Sequence, residues 1–268
     1  MHNIKKTQTM TTPANQDILI HTEAGVTTIT INRIDKKNSF TAVMYSALAD
    51  AFDSASREAS VRVVVIQGHE TIFSAGNDIR DFLSAPPDHA DAPVFRFMRG
   101  ISTFAKPIVA SVCGPAVGIG TTLLLHCDLI YAGDNAAFSM PFVNLGICPE
   151  AGSSLLVPQL MGHQRAAEAL LLGEPFMAET ALELGLVNRI VPPAEANALA
   201  QRQAQKLATK PLSALLETKR LMKQGNAALV AARIEEEGAS FGRMLSEPAA
   251  REAFTAFMEK RRPDFSKV

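Results

Sequence analysis

The sequence predicts a mixed α/β protein in which strand, short strand and helix recur as a coiled stack of ββα units, followed by an all-helical C-terminal section. Three observations predict it. Buried-type strands read at Val61–Ile66, Ile108–Val112 and Leu129–Ala132, and each is followed by a short extended or glycine-rich piece and then a helix. After Val191-Pro192-Pro193 the pattern changes, and every later segment has the apolar spacing of an amphipathic helix. The 268 residues are 47% hydrophobic and 20% charged, an ordinary globular mix with enough aliphatic side chains for a large core. The alternation of strand and short strand favours a ββα coil over a doubly wound sheet.

Residues 1–16 are polar and read as a flexible N-terminal arm. Ile18–Ile20 and Val26–Ile31 read as strands around a Glu23-Ala24-Gly25 turn. Asn32 to Ser39 is a charged loop. Thr41 is an N-cap candidate for a helix over Ala42–Glu58, with Met44, Leu48, Ala51, Phe52 and Ala55 on one face. The strand Val61–Ile66 stops at Gly68, and Phe73–Gly76 is short and extended. Three prolines and several Asp and His residues make Ser84–Pro93 a surface loop. Helix is expected over Val94–Ala105 and Thr121–His126, a short strand at Ala137–Ser139, and a helix near Ser154–Met161. The C-terminal helices read as Ala194–Thr209, Leu212–Gln224, Ala227–Leu245 and Ala249–Lys260. The division is an arm over 1–16, a core over 17–193 and a helical oligomerisation section over 194–268.

Composition narrows the function. Lys and Arg total 26 against 27 Asp and Glu, so the net charge is −1 and no strong field attracts nucleic acid or an acidic membrane. Cys113, Cys127 and Cys148 are an odd set without CxxC spacing, which disfavours a disulfide framework and a zinc knuckle. No stretch approaches the ~18 apolar residues of a membrane helix. The first residues lack the apolar run of a secretory leader, and the final Ser266-Lys267-Val268 is not the S-K-L address. The expectation is a cytoplasmic protein with no metal and no membrane partner.

Two glycine turns carry candidate chemistry. Phe73-Ser74-Ala75-Gly76-Asn77-Asp78-Ile79 ends an extended piece, and its small residues let a ligand approach free backbone N–H groups. An ordinary turn capped by Asp78 is the alternative. Gly114-Pro115-Ala116-Val117-Gly118-Ile119-Gly120 follows a strand and opens a helix. It matches neither the dinucleotide fingerprint nor a P-loop, yet it offers N–H donors at a positive helix end. Tight helix–strand packing is the alternative. Glu150 precedes Gly152-Ser153-Ser154, where a carboxylate also suits a helix N-terminus. His126 and Cys127 are chain neighbours that point apart, so they make no catalytic pair.

Taken together, these motifs resemble the enoyl-CoA hydratase/isomerase (crotonase) family. The carriers are Ile31-Asn32-Arg33, Asn38-Ser39-Phe40, Phe73 to Ile79, Lys106-Pro107-Ile108-Val109-Ala110, Gly114 to Gly120, Cys127-Asp128-Leu129-Ile130-Tyr131-Ala132 and Ala181 with Gly185-Leu186-Val187-Asn188. The resemblance implies a crotonase-like ββα spiral, assembled as a homotrimer or dimer of trimers, that binds an acyl-CoA. Coenzyme A would come as part of the substrate, with no other cofactor. It implies an oxyanion hole of two backbone amides, which map to Ala75 and Ile119, each such donor being worth about 3–4 kcal/mol.

Hydratases of the family carry two glutamates, and those positions here are Thr122 and Phe142. The remaining carboxylate, Glu150, lies in a segment similar to that of the peroxisomal-type 3,2-enoyl-CoA isomerases, which use one glutamate there. One base that removes a proton from C2 and returns it to C4 suffices for that reaction. The same likeness makes Ser74, Gly76, Asn77, Asp78, Ile79 and Phe82 candidate substrate contacts, with Pro115, Gly118, Phe142 and Leu145. Phe95, Phe97 and Met98 are further acyl-tunnel candidates. Arg33, Lys36, Lys37 and Lys260 are candidates for the CoA phosphates, and a solvated charge cluster is their alternative. A hydratase, a hydrolase or a non-catalytic acyl-CoA binder are the rival functions.

Overall fold

Val, Ile and Ala line both faces of the central strands, and most of the architecture follows from covering those faces. The structure, a computed structural model, describes residues 16–84 and 91–268. The expected N-terminal arm lies outside the described residues apart from Gln16, as do positions 85–90 of the expected Ser84–Pro93 loop.

The strands are β1 (Ile18–Glu23), β2 (Val26–Ile31), β3 (Val63–Gln67), β4 (Ile108–Val112), β5 (Pro115–Val117), β6 (Leu129–Gly133), β7 (Ala137–Ser139), β8 (Phe176–Met177) and β9 (Arg189–Val191). β1 and β2 form an antiparallel hairpin turned by Ala24 and Gly25, both at positive φ as a tight two-residue turn requires. From β2 onward the large sheet is parallel, in the order β1-β2-β3-β4-β6-β9. Its register aligns Ile29, Ile66, Ala110 and Ile130 in one row, all buried. β5, β7 and β8 make a smaller sheet.

The helices are α1 (Ala42–Arg57), α2 (Ile79–Ser84), α3 (Pro93–Thr103), α4 (Ile119–Thr122), α5 (Ser153–Met161), α6 (His163–Ala167), α7 (Ala178–Glu183), α8 (Pro193–Ala208), α9 (Leu212–Gln224), α10 (Ala227–Met244) and α11 (Pro248–Met258). Thr41 caps α1, its hydroxyl accepting from the Met44 N–H at 3.3 Å. Leu48, Phe52, Phe97 and Ile101 of α1 and α3 pack with Ile29, Ile66 and Ile130 in the main core. On the other face α8 sets Leu199, Ala200 and Ala204 against Val26, Val63, Val65, Val109 and Tyr131. Strands covered on both faces read as unbroken apolar runs, which is why the sequence exposes them so clearly.

After each of β3, β4 and β6 the chain steps into a second layer: Ser74 bridges Ala116 of β5, and β5 pairs with β7. That step followed by a helix is the expected ββα spiral. Some expected elements shift. The strand expected from Val61 begins at Val63, because the Arg62 and Val63 N–H groups both donate to the Gly25 carbonyl. The helix expected over Thr121–His126 is α4 followed by a 3₁₀ turn, Leu123–His126. The short elements α2, α6, α7, β8 and β9 and the π turn Glu168–Leu172 carry too few residues to show a period.

The C-terminal helices are fastened to the core. Lys219 of α9 reaches Asp128 at 2.6 Å and the Lys106 carbonyl at 2.8 Å. α10 packs across α3 and α5. No described helix is long and apolar enough to cross a membrane.

Candidate active site

The two glycine turns lie against each other. A Cβ on Gly76 would sit 2.9 Å from the Val117 carbonyl oxygen, and one on Gly120 would sit 3.0 Å from Ser74. Only glycine allows this approach, and Gly76 also has φ near +86°. Ser74 ties the layers together: its N–H donates to Pro115, its carbonyl accepts from Val117, and its hydroxyl donates to the Asn38 carbonyl.

The amides of the first turn can be followed one by one. Ala75 N–H donates to the Lys37 carbonyl at 3.0 Å, so that donor is spent. Gly76 N–H donates to the Ser74 hydroxyl at 3.1 Å, and Asp78 N–H to the Phe40 carbonyl at 2.8 Å. The Asn77 N–H between them has no acceptor among the described residues. The Ala75 amide expected as a donor is thus engaged by Lys37, brought in by the 33–38 loop, and the N–H left open in this turn lies two residues on. In the second turn Gly118 N–H donates to Ser139. Ile119 and Gly120 open α4, so their N–H groups have no intrahelical partner.

Asn77 also lines a pocket. Its other walls are Phe82 of α2, Val94, Phe95 and Met98 of α3, Glu150 and Ala151, and Ile234, Gly238 and Phe241 of α10. The lining is apolar except for Asn77 and Glu150. The Tyr45 hydroxyl donates to Asn77 Oδ1. Phe97, a tunnel candidate from the sequence, is instead fully buried core between Tyr45 and Phe52.

Glu150 is 6% exposed, and its Oε1 has no hydrogen-bond partner. Burial, and then the nearby Glu237 carboxylate, push its carboxyl up to about 8. The main chain after it takes two left-handed residues in succession, Ala151 (φ 61°) and Gly152 (φ 72°). Three contacts hold this bend. The His126 Nε2–H donates to the Ala151 carbonyl at 2.8 Å, and the Ser153 hydroxyl donates to the Glu150 carbonyl at 2.6 Å. Glu237 accepts from Gly152 N–H at 2.6 Å and from Ser154 N–H at 2.9 Å. Burial lowers His126 to about 4, so its ring is neutral at pH 7.

The remaining candidates are spread out. The Arg33 guanidinium is engaged by Asp78 at 2.8 Å and by Ser39, and Asp78 also caps α2 through the Arg80 and Asp81 amides. Lys36 and Lys37 are exposed on the same loop, and Pro115 is exposed on β5. Ile79 packs half-buried in the second core cluster with Leu145 and buried Phe142, and Phe142 lies next to Gly118. Lys260 is exposed beyond α11 at φ 56°. Arg33, Lys36, Lys37, Pro115, Phe142, Leu145 and Lys260 are not pocket walls. The sequence reading missed Tyr45, Glu237 and the α10 wall. The wall had a signal: Ile234, Gly238 and Phe241 stand at i, i+4 and i+7, with an unexplained glycine inside a helix. Among the described residues no group of three or more His, Cys, Asp or Glu is arranged to hold a metal.

Comparison with known proteins gives a consistent result. The model of the family described as enoyl-CoA hydratase/isomerase matches residues 21–267. Enoyl-CoA delta isomerase 2 of Rattus norvegicus is 37% identical over 240 residues, which are 87% of this chain and 61% of that protein, so the chain spans about three fifths of that relative. The 1,2-epoxyphenylacetyl-CoA isomerase of Escherichia coli is 32% identical over 257 residues, 93% of this chain and 98% of that one. The solved structure of Pseudomonas aeruginosa OdaA superposes with a TM-score of 0.89 at 46% identity, covering 91% of this chain and 99% of that chain.

Proposed function

The chain belongs to the enoyl-CoA hydratase/isomerase family, and from that premise we propose that it moves the double bond of a 3-enoyl-CoA into conjugation as the 2-enoyl-CoA, with Glu150 as the shuttling base. The observation that carries this reading is Glu150 itself, a buried carboxyl with an unpartnered oxygen in an apolar pocket that Asn77 of the first glycine turn also lines. It is the only carboxylate among the described pocket walls. The two positions that hold glutamates in hydratases are Thr122 and Phe142, both buried. Neither accepts a proton as a carboxylate does, and this favours isomerisation over hydration.

The proposed reaction needs one proton and no water. Glu150 takes a proton from C2 of the 3-enoyl thioester. The C–H electron pair moves into the carbonyl and produces a dienolate. Two amides bind that oxygen, and we assign them to Asn77 and Ile119, two of the three N–H groups (with Gly120) that the turns leave without an internal acceptor, Ile119 being the one that the family resemblance indicates. The protonated Glu150 then donates to C4, and the double bond closes between C2 and C3. The apolar pocket raises the proton affinity of Glu150, which suits a base that must hold a carbon acid's proton. Catalysis requires the ionised form, so kcat/KM rises with pH through the Glu150 value, about 8. A profile flat down to about pH 4.5 would contradict the assignment.

Coenzyme A enters as part of the substrate, and the scheme uses no metal or redox cofactor. A homotrimer or a dimer of trimers in the cytoplasm completes the proposal, and light scattering tests the assembly. The decisive experiment offers 3-hexenoyl-CoA and 2-hexenoyl-CoA to the wild type and to Glu150→Gln. The expected outcome is isomerisation that falls about 10²- to 10⁴-fold in the variant, with little hydration by either protein. Hydration without isomerisation would overturn it in favour of a hydratase.

A further inference from the structure

We propose that Glu237, on the C-terminal helix α10, is a positioning residue for this reaction: its buried carboxyl locks the bend that aims Glu150 into the pocket and sets a second acidic group beside it. The inference rests on the assignment of Glu150 as base.

The geometry begins with the bend. Ala151 and Gly152 both occupy the left-handed region, which is strained for Ala151 because it carries a Cβ. Such a bend persists only if other groups hold it. α5 begins at Ser153 behind Gly152, which has no side chain to cap it. Glu237 supplies the missing cap from another element. Its two oxygens accept from Gly152 N–H and Ser154 N–H, and the side chain is almost fully buried. The neighbouring residues Ile234 and Gly238 line the pocket, so the helix that walls the site also holds the backbone of its base.

The charge follows from the partners. Glu237 accepts two amide hydrogens at the positive end of α5, and Arg233 lies close by, donating to the Ser154 hydroxyl at 3.1 Å. These contacts favour the ionised carboxylate and work against its burial, the larger influence, which leaves the Glu237 carboxyl above its ordinary value. Glu150 has no donor on Oε1. Both buried carboxyls are raised, but their surroundings differ: Glu237, with two amide donors, is the one that ionises first, and Glu150, with none on Oε1, holds its proton longer. The other groups facing Glu150 do not supply this field. Tyr45 of α1 is held neutral by burial and then by Glu150 itself. Cys148, on the same segment, is also pushed up by burial. His126, beneath Ala151, is neutral.

The test reads the protonation of Glu150 directly. Infrared difference titration of the wild type against Glu150→Gln follows the protonated carboxyl band without needing turnover. Glu237→Gln keeps one acceptor for the two amides and removes the charge. The expected result is a Glu150 midpoint at least about one pH unit lower. The acid limb of kcat/KM on 3-hexenoyl-CoA should move with it, and plateau kcat should fall about 10-fold. A folded Glu237→Gln protein with an unmoved midpoint overturns the inference, since a residue that served only stability would leave the titration in place. If that variant does not fold, Arg233→Gln decides: removing the cation that offsets Glu237 must raise the midpoint, and no change overturns the inference. Turnover that survives in Glu150→Gln refutes the base assignment, whatever the titration gives.

Discussion

At Glu150 the needs of the reaction and those of stability are opposed. The reaction uses the ionised carboxylate, and the fold buries it in an apolar pocket next to Glu237. Its proton is released near pH 8 in the folded protein and near 4.5 in the unfolded chain. Between those values the folded state binds more protons than the unfolded state, so its stability falls as pH rises through that window. Below about 4.5 the penalty is absent, and above about 8 it is complete. We therefore expect the wild type to lose stability relative to Glu150→Gln between pH 5 and pH 9, by an amount on the order of a few kcal/mol. His126 titrates alike in both proteins and cancels in the comparison. Denaturant unfolding at both pH values checks this, and parallel pH dependences would mean that the carboxyl is not desolvated.

At the scale of elements, short helices and turns supply the amides. α4 has four residues and begins at Ile119, where its N–H is free by position. Proline is tolerated at the first position of a helix and lacks that N–H. Ile119→Pro should therefore lower kcat about 10²- to 10³-fold, the loss typical of one oxyanion donor. The Ile119 side chain is 1% exposed, so about 1–2 kcal/mol of stability should go as well. Steady-state kinetics with a Tm measurement separate the two effects, and an unchanged kcat would remove Ile119 from the oxyanion hole. The first turn shows what a motif conveys. Phe-Ser-Ala-Gly-Asn-Asp signals a turn rich in N–H donors. Which donor stays free is decided by the Lys37 carbonyl, which reaches Ala75 from a different loop.

At the scale of the whole molecule, one side of the pocket is closed by α10, a helix that follows the core in sequence. α10 provides one wall, and α9 is pinned to the core by Lys219. Asp128 accepts from both the Ile108 N–H and Lys219, so one carboxylate joins a core strand to the C-terminal section. Lys219→Met should cost about 2–3 kcal/mol, somewhat less than breaking a fully buried pair, because Asp128 keeps some contact with water. If α9 holds α10 in place, KM should rise more than kcat falls. A denaturant midpoint equal to that of the wild type would show that the pair is not a clamp.

The sequence by itself determined the ββα class, the four long C-terminal helices to within about two residues, the cap at Thr41 and the location of both glycine turns. These are legible because periodicity, caps and glycine positions act within a few residues along the chain. It also singled out Glu150, through the residues that stand at Thr122 and Phe142. Only the tertiary structure decided that Ala75 is spent and Asn77 is not, that Phe97 is core, that Arg33 is engaged by Asp78, and that Glu150 sits beneath α10 with Glu237 beside it. Hydrogen-bond acceptors and buried charges act through space. The groups that engage residues 75, 151 and 152 are at 37, 126 and 237, and no local pattern connects them.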